Sequence, residues 1–74
     1  MNNARRKEIA RATELLAAAR EILEACRDEE QEYFDNMPEA FQNGEKGEAA
    51  QAAIDLLEEA VAQLDEIEGS IADA

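Results

Sequence analysis

Apolar residues recur along two long segments of this chain at the three- and four-residue steps of an amphipathic helix. In the first segment Ile9, Ala12, Leu16, Ala19, Leu23, Cys26 and Tyr33 form one stripe, and Leu15 and Ile22 widen it on one flank. Glu30 stands where that stripe would place an apolar residue. In the second segment Ala50, Ile54, Leu57, Val61, Leu64 and Ile71 repeat the pattern, with Ile67 on the flank and Glu68 in an apolar place. Frequent Ala, Glu, Leu and Arg favour helix throughout. The pattern predicts an all-α protein of two long helices with coiled-coil-like seams.

Local chemistry sets the expected boundaries. Asn2 or Asn3 can cap the first helix by accepting a bond from a free backbone N–H. Pro38 disfavours helical geometry at Met37, so that helix should span about residues 4–36, with a turn at about 37–44. One extra helical turn fits Pro38–Gln42, and Asn43-Gly44 reads as the turn before a second helix at about 45–71. Gly47 falls in the first turn of that helix, where its cost is modest. Glu45 and Glu48 suit the positive end of its dipole.

A short connection between two such helices implies an antiparallel hairpin. Two helices cannot cover a stripe as wide as Leu15-Leu16 with Ile22-Leu23, so the expected arrangement is a homodimer forming a four-helix bundle. The residues expected in the core or dimer contact are Ile9, Leu15, Leu16, Ile22, Leu23, Tyr33, Ile54, Leu57, Val61, Leu64 and Ile71. A monomer with a small core is the competing reading, since a chain of 74 residues buries little surface. Cys26 is alone, which removes an intrachain disulfide and fits a reducing compartment, and there is no His for a typical zinc site. No apolar run approaches the ~20 residues that span a bilayer, and charges interrupt any signal-like core near the start. The expectation is a soluble, cytoplasmic protein without membrane contact.

Charge sharpens the picture. Residues 1–27 carry six cations against four carboxylates, net +2, whereas residues 28–74 carry Lys46 alone against fifteen carboxylates, net −14. The total of −12 excludes direct nucleic-acid binding as a main role and favours a basic partner. Catalysis finds little material: there is no His and no Gly-rich phosphate loop, and Cys26 sits on the apolar stripe, where packing is its expected role. Neither enzyme activity nor a cofactor is expected. Glu30 and Glu68 are expected where the seams open to water, because burying an unpaired carboxylate costs several kcal/mol. In an antiparallel hairpin Glu66, Glu68 or Asp73 should lie near Arg5, Arg6 or Arg11 and pair with them.

All three aromatics, Tyr33, Phe34 and Phe41, fall in the segment around the turn, with Met37 between them. An apolar plug, Phe41 folding back onto Tyr33 and Met37, is the plainer expectation. An aromatic centre in an acidic rim is also what a docking hot spot looks like. The candidate partner-binding residues are Glu29, Glu32, Phe34, Asp35 and Phe41 around the turn, and Glu58, Glu59, Asp65 and Glu66 on the second helix.

The run RDEEQEYFDNMPE, with the opening MNNARRKEIARA and the later GEAAQAAIDLLEEA, resembles small acidic proteins encoded by bacteriophages and prophages, over most of the chain. That family has no assigned activity, so the resemblance implies only a setting, a phage accessory protein inside a bacterium. Two functions remain as expectations. One is an inhibitor that binds the basic, nucleic-acid-binding surface of a bacterial defence or DNA-processing protein. A dimer of net charge −24 along about 50 Å of helix would carry one charge per roughly 2 Å, against one per roughly 1.7 Å of duplex DNA. The other is an assembly adaptor that joins other chains through its seams.

Overall fold

The computed structural model describes residues 1–74. Every regular element is a helix: α1 (Asn3–Asp35), α2 (Glu39–Gln42) and α3 (Glu45–Ala72). α1 begins where the Asn2 side-chain oxygen accepts a hydrogen bond of 2.8 Å from the Arg5 N–H, satisfying one of the free donors of the first turn. It ends short of Pro38, whose ring disfavours helical backbone at the residue before it. The Asn36 and Met37 N–H groups still donate to the carbonyls of Glu32 and Phe34, tightening the exit. α2 is a single turn, in which Phe41 and Gln42 donate to the Pro38 carbonyl. Gly44, in extended backbone, then caps α3, and its carbonyl accepts from Glu48 at 3.0 Å.

The turn is closed by two contacts of different kinds. The Gln42 side-chain amide donates to the Phe34 carbonyl at 3.0 Å, tying α2 back to the end of α1. Gly47 is buried against the Gln42 backbone, and a Cβ there would fall on the Gln42 carbonyl and within 2.6 Å of its Cα. The modest cost expected of Gly47 misses this point: the glycine is where α3 starts close against α2.

α1 and α3 run antiparallel and pack along their lengths, with Ile71 beside Ile9 and Thr13 at the far end. The Cα envelope is 58 × 15 × 12 Å, a rod two helices wide and one helix thick. Such a shape has almost no interior. Ile54 (1% exposed) and Ala50 are the only buried apolar residues.

The contact line on α3 is Gly47, Ala50, Ile54, Leu57, Val61, Leu64, Glu68 and Ile71, at steps of three and four. On α1 it is Ile9, Thr13, Leu16, Arg20, Leu23, Arg27, Glu30 and Phe34, all half-buried. This corrects the expected stripe. Ile9, Leu16 and Leu23 remain, but Ala12, Cys26 and Tyr33 are exposed and the neighbouring Thr13, Arg27 and Phe34 turn inward instead. Leu15 and Ile22, on the flank that two helices were not expected to cover, are exposed in the single hairpin. Thr13, Arg20 and Arg27 tolerate the seam because their polar atoms are served, while the half-buried Glu30 keeps its carboxylate at the water-facing edge without a protein partner. The Thr13 hydroxyl donates to the Ile9 carbonyl at 3.0 Å, and the Arg stems pack while their charged heads reach carboxylates.

The aromatic plug is also corrected. Phe34 is half-buried, whereas Tyr33 and Phe41 are exposed and line, with Met37, Pro38 and Lys46, one shallow hollow on the turn. The Lys46 ammonium lies 5.7 Å from the Phe41 ring centroid, a cation–π distance.

Candidate interaction faces

The two seams define the other faces of the rod. A residue one position before a seam residue lies about 100° round its helix, and because the helices are antiparallel that same step turns both toward one side of the hairpin. On α1 this side carries Glu8, Ala12, Leu15, Ala19, Ile22, Cys26, Glu29 and Tyr33; on α3 it carries Lys46, Ala49, Ala53, Leu56, Ala60, Gln63, Ile67 and Ser70. Between Ala12 and Cys26, and between Ala49 and Ile67, it holds no charge. Its large side chains are open to solvent, with Leu15 62%, Ile22 63% and Leu56 67% exposed.

One position after each seam residue the opposite side appears. There α1 carries Glu14, Glu21, Glu24, Asp28 and Asp35, and α3 carries Glu48, Asp55, Glu58 and Asp65. From Glu14 to Asp35 no cation shares that side. Arg20 and Arg27 reach it from the seam, Arg20 to Glu24 at 2.9 Å and Arg27 to Asp28 at 3.1 Å. The hairpin is therefore two-sided, apolar on one long face and acidic on the other.

Arg20 joins the helices across the seam. Its Nε donates to Glu68 at 3.0 Å, and its Nη1 bonds Glu24 one turn along its own helix. The hydrogen bond to Glu68 and then that to Glu24 hold the Arg20 guanidinium above its already high ordinary pKa. The Glu68 side chain is only 16% exposed. The expectation that Glu68 reaches water, or pairs with the basic start of α1, is thus corrected. Its partner is Arg20, farther along the helix than Arg5, Arg6 or Arg11.

The candidate partner-binding residues are not gathered in one place. Asp35, Glu58 and Asp65 lie on the acidic face, while Glu32, Glu59 and Glu66 project from the outer edges of the two helices. Glu29 borders the apolar face, Phe41 stands on the turn, and Phe34 packs into the seam. Leu56 lies outside the stripe expected through Leu57 and stands on the apolar face. The signal was present, because Ala49, Ala53, Leu56, Ala60 and Ile67 recur at steps of four, three, four and seven. No helix is long and apolar enough to cross a membrane. Comparison with protein-family models, curated proteins and solved structures gives no match for this chain, so its faces carry the functional argument alone.

Proposed function

We propose that this protein is a small protein-binding module that works as a homodimer, two hairpins forming a four-helix bundle, and presents its acidic faces to a basic surface of another protein. The inhibitor reading, in which that surface belongs to a nucleic-acid-binding bacterial protein, follows from the sorting of charge. With Asp28 neutralised by Arg27, and the single charge of Arg20 divided between Glu24 and Glu68, seven to eight carboxylate charges remain on that face along the stretch from Glu14 to Asp35. That stretch is about 32 Å of helix, giving one charge per roughly 4–4.5 Å, somewhat sparser than the roughly 3.4 Å along a single DNA strand. Two such faces pointing outward from a dimer resemble a short, weakly charged duplex. The resemblance to phage-encoded proteins supports the same setting.

The test is capture from bacterial lysate with charge reversal as the control. A partner of this kind is retained at low salt, released at moderate salt, displaced by duplex DNA, and lost on Glu58→Lys with Asp65→Lys. A partner that survives salt and both reversals overturns the inhibitor reading. A second reading, an assembly adaptor, is favoured by the open apolar face. It expects salt-tolerant capture that is lost when Leu15 or Ile22 is made polar.

A further inference from the structure

We infer that the apolar face formed by Leu15, Ile22 and Leu56, with Cys26, Ala53 and Ala60 between them, is covered by a second copy of this chain. The inference specifies the surface of the homodimer proposed above and rests on that reading. Three observations lead to it.

The first is electrostatic. Each copy carries −12, so two copies repel unless their carboxylates are turned apart. Joining the apolar faces about a two-fold axis puts the acidic faces on opposite outer sides, whereas joining the acidic faces that way brings carboxylates together. The second is shape. The residues nearest the groove between the helices are small, namely Ala19, Cys26, Ala53 and Ala60, while Leu15, Ile22 and Leu56 stand on its banks. Small side chains let two helix pairs approach closely, and the larger banks close the edges. The third is size. The face runs about 30 Å along the helices and about two helix diameters across, near 20 Å, so two copies would cover about 1,200 Å² in total, the lower edge of a stable interface. It would also supply the interior that the hairpin lacks, since Ile54 and Ala50 alone are buried within one copy.

Sedimentation equilibrium at micromolar concentration, with thiol labelling of Cys26, tests this. Wild type should show twice 8.2 kDa. Leu56→Glu and Ile22→Glu should each weaken the dimer roughly 100-fold or more, because a charge would be buried without a partner. Glu58→Gln, on the acidic face, should leave the mass unchanged. Cys26 is exposed in the single hairpin, so its labelling should slow as protein concentration rises. That readout needs no substitution and decides the matter if a variant fails to fold.

A wild-type dimer that both face variants leave intact, or labelling independent of concentration in that dimer, overturns this interface while the dimer reading stands. A mass of 8.2 kDa throughout overturns both. Labelling of a monomer that slows only in lysate assigns the face to another chain and likewise overturns the inference.

Discussion

At the scale of single residues, two positions show how little room this hairpin leaves for substitution. Gly47→Ala places a methyl group on the Gln42 backbone, where no flexible side chain can yield. Overpacking of this kind costs about 1–3 kcal/mol, so the urea midpoint should fall clearly. An unchanged midpoint would mean that α2 can move away at no cost. Arg20 is the second position. Different nitrogens of one planar guanidinium serve Glu68 and Glu24, an arrangement that the single ammonium of lysine cannot copy. Arg20→Lys should therefore destabilise more than Arg27→Lys, whose bond to the neighbouring Asp28 is solvent-exposed. The pH dependence follows from the raised guanidinium pKa. A cation whose folded pKa lies above its unfolded one stabilises fully below the unfolded value and loses that contribution only above it. The stability gap between wild type and Arg20→Met should thus be the same at pH 7 and at pH 10, read from urea midpoints. A gap that closes by pH 10 would show that the guanidinium is not what is being lost.

At the scale of elements, the two glycines of α3 predict opposite outcomes. Gly69 has open space where a Cβ would stand. It lies on the acidic face, so Gly69→Ala should add about 0.5–1 kcal/mol through helix propensity alone and raise the thermal midpoint. If both alanines destabilise, the assigned difference in packing is wrong. This contrast also shows what the sequence carried. The helices were legible because their boundaries rest on local chemistry: the Asn2 cap, the Pro38 stop and the Asn43-Gly44 turn. The choice of seam was not. α1 has two heptad-like lines one residue apart, Ala12-Leu15-Ala19-Ile22-Cys26 and Thr13-Leu16-Arg20-Leu23-Arg27. Hydropathy prefers the first, yet the hairpin packs on the second. Arginine stems count as polar in a sequence but behave as apolar surface once their heads are paired, as Arg20 is with Glu68. The contact between Gly47 and α2 was hidden for a different reason. It depends on where the chain returns in space, which spacing along α3 does not encode.

At the scale of the whole molecule, the two faces make salt act in opposite directions on stability and on binding. Carboxylates crowded on one side repel one another, and screening them should stabilise the fold and the proposed dimer. The Debye length shortens from about 30 Å at 0.01 M salt to about 10 Å at 0.1 M, so most of the relief should come in that range. The thermal midpoint should therefore rise as sodium chloride is raised through it, because the salt bridges that screening weakens are few beside the repulsions. Retention of a basic partner should fall over the same range, since the field that attracts it is screened as well. The two measurements share one cause and can be made on one preparation. A midpoint that falls with salt would mean that Arg20 and Arg27 outweigh the repulsion, and the acidic face would then hold too little net charge to imitate a nucleic acid. A midpoint that rises while capture stays constant would separate the roles. The carboxylates would serve to hold apart all but the apolar faces, and the partner would be recognised elsewhere, with the exposed Tyr33–Phe41 hollow at the turn the first place to substitute.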